Sequence, residues 1–89
     1  MDTTVADEVK ERFGRLMRVD PGTLDLEARL DDVYRVSSFN KMRLLHDLET
    51  GLGIRIPEDE GKAAWTLAEL IRLCEQQVSP ERRASGAAR

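Results

Sequence analysis

The chain contains one cysteine, one histidine and three prolines, and aromatic residues make up only 4% of it. A single thiol, Cys74, can form no internal disulfide and supplies no cysteine-rich metal centre. His46 stands between Leu45 and Asp47 with no second ligand at metal-like spacing, so it reads as a solvated or partner-contacting residue. The acids Asp31, Asp32, Asp47, Glu49, Glu58, Asp59 and Glu60 follow no calcium-loop pattern and read as a solvated surface. No run approaches the roughly 20 apolar residues of a membrane helix. Met1-Asp2-Thr3-Thr4 lacks the basic start and apolar stretch of a signal peptide. A basic excess is missing as well: 14 Lys and Arg face 17 Asp and Glu, a net charge of -3, and the signs are interspersed. A nucleic-acid binder concentrates its basic residues in one stripe. These absences point to a cytoplasmic monomer that binds neither nucleic acid nor membrane.

With 89 residues, 40% of them apolar, the chain has material for one small core. A domain of this size buries about 60% of the surface that its unfolded chain exposes, so its stability should be modest. Residues 1–78 form the expected domain. Residues 79–89 have no apolar face and read as a disordered tail or a linker.

Hydrophobic spacing predicts an all-α fold. Val5, Val9 and Phe13, with Leu16 and Met17, make one face of a helix from about residue 4 to 17, with Thr4 as cap and Asp7 in a variant capping box. Asp20-Pro21-Gly22 is the expected stop. A second helix begins near Ser38, carries Leu44, Leu45, Leu48 and Leu52 at core-like spacing, and ends on Gly51 and Gly53 in left-handed conformations. The last helix opens on the capping box Thr66-Leu67-Ala68-Glu69, with Trp65 and Leu70 as a hydrophobic staple, and buries Leu67, Leu70, Ile71 and Cys74. A short helical turn is expected around residues 60–64. Between the first two long helices runs a connection of about twenty residues, long enough to need internal anchors. Leu24, Leu26, Leu30, Val33 and Val36 are the candidates.

Ser38 is the candidate functional residue. A serine at a helix cap satisfies one of the unpaired first-turn amides, and a phosphate attached there would meet the positive end of the helix dipole. Without a nearby histidine or acid it is not a self-activated nucleophile, so another enzyme must do the chemistry. The plain alternative is a helix cap and nothing more.

The wider spacing bears on that choice. Ser37-Ser38-Phe39 opens a helix that runs through Leu44, Leu48, Glu49 and Leu52 into Gly53-Ile54-Arg55-Ile56-Pro57, and Leu67, Leu70 and Ile71 follow on the last helix. From Leu30 to Cys74 this frame resembles the phosphopantetheine-binding acyl and peptidyl carrier proteins without a gap. The resemblance implies a four-helix bundle of three main helices and one short one, with a long loop between the first two. It implies no catalysis. Instead, 4′-phosphopantetheine from coenzyme A is esterified to Ser38 by a magnesium-dependent phosphopantetheinyl transferase. An acyl or aminoacyl group is then carried as a thioester, loaded by an adenylating or ligase-type enzyme and taken by a downstream accepting or modifying enzyme. The family usually has Asp-Ser-Leu, often with a glycine two residues before the aspartate, where this chain has Arg35. Aminoacyl carriers loaded by dedicated ligases resemble the Ser-Ser-Phe form, which tilts the reading towards specialised, natural-product metabolism.

Partner docking is expected around the serine, on Ser37, Phe39, Lys41, Met42, Arg43, Ala64 and Trp65. Phe39 and Met42, one turn apart, are either partly core or the apolar centre of a patch with Lys41 and Arg43 as its polar rim. Because Lys41 and Arg43 offset Asp47 and Glu49, partners with very basic surfaces are not expected. Ala64 and Trp65 should lie across from this helix, where Trp65 either only staples the last helix or also touches the arm. The competing class is a helical interaction module with no prosthetic group.

Overall fold

The computed structural model describes residues 4–78, so the segment 79–89 read as a tail or linker lies outside the described residues. Every regular element among the described residues is helical: α1 (Val5–Met17), α2 (Leu30–Val33), α3 (Ser38–Leu52), α4 (Glu58–Ala63) and α5 (Leu67–Gln77). α1 packs against both α3 and α5, and α4 leans on α5. The bundle is the expected one, with α2 as an additional single turn inside the long connection.

Thr4 caps α1, its Oγ1 accepting the Asp7 N–H at 3.0 Å. Val9 and Phe13 are completely buried, with Val5, Leu16 and Met17 packed beside them. The helix stops before the proline-glycine signal, because Arg18 turns left-handed at φ 59 and ψ 48. Asp20 instead caps a separate 3₁₀ turn over Pro21–Thr23, accepting the Gly22 N–H at 2.9 Å.

The long connection is held by backbone hydrogen bonds as much as by side chains. Leu30 N–H donates to the Trp65 carbonyl at 2.7 Å, and Ala68 N–H donates to the Leu26 carbonyl at 3.0 Å. The Tyr34 hydroxyl accepts the Asp25 N–H at 2.9 Å, and its ring meets Phe13 edge-on with centroids 5.4 Å apart. Leu30 and Val36 are buried and Leu24 and Leu26 partly so, as expected. Val33 is not an anchor: it is 56% exposed. Val36 N–H returns to the Leu30 carbonyl at 3.0 Å, and that fold-back puts Val36 rather than Val33 over the core.

Leu44, Leu48 and Leu52 give α3 its inner face, and Gly53 ends it at φ 67. Gly51 does not share that role, since it is still helical. Its missing side chain lets the Arg12 guanidinium lie directly against α3. There Arg12 pairs with Glu8 at 3.3 Å and Asp47 at 3.2 Å, joining α1 to α3. Glu49 accepts the Ile56 N–H at 2.8 Å, which holds the Ile-Arg-Ile-Pro segment against α3 while Ile56 is buried.

Thr66 caps α5 by accepting the Glu69 N–H at 3.1 Å. The reciprocal bond falls one residue earlier than in a standard capping box, because Glu69 Oε1 accepts the Trp65 N–H at 2.9 Å. That bond, aided by Thr66, holds the Glu69 carboxyl below its ordinary value of 4.5. The stabilisation is present above the ordinary value and is lost as pH falls through the lower folded value. Glu69→Gln should therefore flatten the acid limb of stability in urea melts, and Thr66→Ala should cost about 1 kcal/mol. An unchanged acid limb would mean the carboxylate bond contributes nothing. Leu67, Leu70, Ile71 and Cys74 are buried as the stripe predicts, and burial pushes the Cys74 thiol up to about 11. A thiol in that state is inert at neutral pH.

Candidate functional site

The site begins with the turn that precedes α3. Arg35 takes the left-handed conformation at φ 58, Val36 next to it is buried, and Ser37 follows in extended conformation at φ -79 and ψ 165. Ser37, not Ser38, is therefore the cap: its Oγ accepts the Asn40 N–H at 3.1 Å. This corrects the sequence expectation, and the correction matters for the chemistry. With the capping bond made by Ser37, Ser38 is the first residue of the helix and is exposed. Aspartate and serine cap equally well, so the cap of this helix does not depend on an aspartate at position 37.

Arg35 stands where the resemblance has glycine, and its backbone shows why. A side chain in the left-handed region costs roughly 1–2 kcal/mol. Arg35→Gly should raise stability by about 0.5–1 kcal/mol, the greater freedom of glycine in the unfolded chain offsetting part of the gain. A thermal melt checks this, and a lowered Tm would contradict the strained turn.

Of the other residues expected to face partners, Ser37, Phe39, Met42 and Arg43 are at the surface. Phe39 is 68% and Met42 66% exposed, so neither is core, and the Arg43 guanidinium lies 6.0 Å from the Phe39 ring centroid. Lys41 and Ala64 are buried, each 3% exposed, and form no surface rim. Lys41 falls on the same helical stripe as Leu44, Leu48 and Leu52, and the core encloses its stem. Its Nζ donates to the Lys62 carbonyl at 2.7 Å and lies 4.0 Å from the Trp65 ring centroid. Arg29 lies 5.8 Å from that ring centroid, so the half-buried Trp65 has two cations near its ring as well as stapling α5. Burial pushes the Lys41 pKa below its ordinary value, with Glu69 opposing part of the shift.

Neither residue reasoning nor the resemblance singled out Arg12, Tyr34 or the hydrogen-bonding role of Glu49. Their partners lie far along the chain, where spacing carries no signal. The burial of Lys41 did leave one, in its place on the leucine stripe. His46 is exposed. Among the described residues no group of three or more His, Cys, Asp and Glu is placed to hold a metal, and no helix is long and apolar enough to cross a membrane.

The residues present fit a phosphate ester on Ser38. The residue is exposed at the N-terminus of a helix of 15 residues, where the helix dipole and the amides not taken by the Ser37 cap favour an anion. From Arg35 to Lys41 the chain offers no carboxylate to repel it.

Residues 7–74 match the sequence model of a family described as a phosphopantetheine attachment site. A comparison with curated proteins gave no match. The matched span contains α2, α3 and α4 whole and most of α1 and α5. Carriers of this kind hold 4′-phosphopantetheine covalently, catalyse nothing themselves, and work with a phosphopantetheinyl transferase and acyl-processing enzymes. Fold, exposed helix-start serine and sequence match agree, and the chain belongs to the phosphopantetheine-binding carrier protein family.

Proposed function

We propose that Ser38 is the attachment residue and that the chain carries an aminoacyl or acyl group in specialised metabolism, in the cytoplasm. The observation that supports Ser38 is the division of labour at the start of α3. Ser37 makes the capping bond at 3.1 Å, which leaves the Ser38 hydroxyl exposed for an incoming phosphate. When bound, the arm supplies a terminal thiol that holds the cargo as a thioester.

The chain's own contribution is presentation. Ser38 Oγ attacks the phosphorus that bears the pantetheine half of coenzyme A, a new P–O bond forms, and 3′,5′-ADP leaves. No acid or imidazole from Arg35 to Lys41 is there to take the hydroxyl proton, so the base and the magnesium belong to the transferase. The N-terminal end of α3 would favour the negative charge of the phosphodiester at Ser38. An adenylating or ligase-type enzyme loads the cargo and a downstream enzyme accepts or modifies it. The tilt to an amino acid cargo rests on Ser37-Ser38-Phe39 and on the first turn of α3, which carries no acid.

Intact-mass spectrometry after incubation with coenzyme A and a broad-specificity transferase tests the carrier reading. One phosphopantetheinyl adduct per chain is the expected result. Several transferases that leave the mass unchanged would favour the interaction module without a prosthetic group.

A further inference from the structure

A groove of about 890 Å³ runs between the C-terminal half of α1 and the outer face of α3. We propose that it is a docking surface for an acidic protein segment bearing an apolar side chain, carried by the enzymes that act on this chain. The proposal rests on the carrier reading and names the chemistry of its partners.

Charge is the first observation. The chain as a whole has a net charge of -3, yet this groove is lined by Arg12, Arg15, Arg18 and Arg43, with Asp47 as its only acid. Asp47 is already paired with Arg12 at 3.2 Å. Arg15, Arg18 and Arg43 are exposed, and none has an ion-pair partner among the described residues. Three unneutralised guanidiniums along one groove of an acidic protein create a local field of the opposite sign to the whole, and such a field steers acidic partners.

The second observation is apolar. Among the described residues, Val33, Phe39 and Met42 are the large hydrophobic side chains that stand exposed, and two of them, Phe39 and Met42, line this groove. Aromatic, methionine and arginine side chains are the enriched components of interface centres, and Arg43 lies 6.0 Å from the Phe39 ring. An inorganic phosphate or a polyphosphate would use the arginines and leave Phe39 and Met42 in water. A carboxylate-bearing protein surface with a protruding apolar residue uses both. Phe39 directly follows Ser38, so an enzyme seated here has the attachment residue at the edge of its footprint.

Arg12 is anchored at the floor of the groove. Arg12 lies on the backbone at Gly51 and is held by Glu8 and Asp47, so it fixes the spacing of α1 and α3, while the three exposed arginines remain available. Arg15 comes from α1 and Arg18 from the left-handed residue that ends it, both beyond the patch that the sequence suggested.

The test compares two phosphopantetheinyl transferases, one with a basic docking face and one with an acidic face, acting on the full chain. Values of kcat/KM are measured at low and high salt for the wild type, for R15E/R43E and for the control R55E/R72E, which makes the same net-charge change outside the groove. Circular dichroism melts confirm that each variant folds. With the acidic-faced enzyme R15E/R43E should lose about tenfold, and with the basic-faced enzyme it should gain about tenfold. Both effects should shrink at high salt. F39A/M42A should weaken the acidic-faced enzyme at both salt concentrations. If neither enzyme modifies the wild type, the carrier reading itself fails. If both do, and R15E/R43E matches either the wild type or the R55E/R72E control at low salt, the docking proposal fails and the carrier reading stands. Inorganic pyrophosphate supplies a further arm. Tight calorimetric binding that R15E/R43E abolishes, with kcat/KM unmoved, would assign the groove to a small anion and overturn the proposal.

Discussion

Phe13→Ala should destabilise the domain by about 3–5 kcal/mol, the largest loss among its single core truncations. Phe13 is fully buried where α1 meets α3 and α5, and its ring also meets Tyr34, which fastens the long connection through the Asp25 N–H. Truncation therefore leaves a cavity and loosens the segment that positions Val36 and the turn before Ser38. Leu48→Ala, on the fully buried face of α3, should cost about 2–5 kcal/mol without touching that segment. Total stability of about 5–15 kcal/mol is usual for a domain, and a small one sits at the low end, so Phe13→Ala should unfold a visible fraction at ambient temperature. Urea melts rank the two. A smaller loss for Phe13→Ala than for Thr66→Ala would mean the core is centred elsewhere.

Lys41→Glu should be nearly as damaging, and Lys41→Met close to neutral. The glutamate would bring a carboxylate to the Lys62 carbonyl and the negative face of Trp65, the two groups that now receive an ammonium. Breaking a buried charged arrangement of this kind costs about 3–5 kcal/mol. Methionine keeps the stem's volume and avoids the buried charge, so its cost should stay below about 1.5 kcal/mol. The sign of the pH dependence follows from the lowered Lys41 pKa. The unfolded chain holds this proton more tightly, so wild-type stability relative to Lys41→Met should rise as pH climbs through the folded pKa towards 10.5. Denaturant melts across that range settle it, and a wild type that weakens relative to Lys41→Met over the interval would contradict the buried ammonium.

These two residues also mark what the sequence made legible. Phe13 belongs to a plain helical stripe with Val5 and Val9, and periodicity alone places it in the core. Lys41 belongs to an equally plain stripe with Leu44, Leu48 and Leu52, but its charge argued for the surface, and a carbonyl with an aromatic face overrides that preference. Val33 shows the opposite failure. Its apolar side chain suggested an anchor, yet a backbone return from Val36 to Leu30 decides which residue points inward. The caps of α1 and α5 were readable because their partners lie three residues away. The start of α3 near Ser38 was readable, but its cap was misplaced by one residue because two adjacent serines cap equally well, and it is Ser37 that accepts the Asn40 N–H. The arginine groove was invisible for a further reason: its residues come from α1, the residue that ends it, and α3, which the fold alone brings together.

The site assignment at Ser38 is tested most directly by locating the adduct in single serine variants. Coenzyme A, magnesium and a transferase are supplied to the wild type, Ser37→Ala and Ser38→Ala, and peptide mass spectrometry reads the modified residue. Ser38→Ala should carry no adduct while its melting temperature stays near that of the wild type, because Ser37 still accepts the Asn40 N–H. Ser37→Ala should be modified at Ser38 and should lose about 1 kcal/mol of stability through the missing cap. An adduct that survives in Ser38→Ala and disappears in Ser37→Ala would exchange the two roles and contradict the assignment of Ser38.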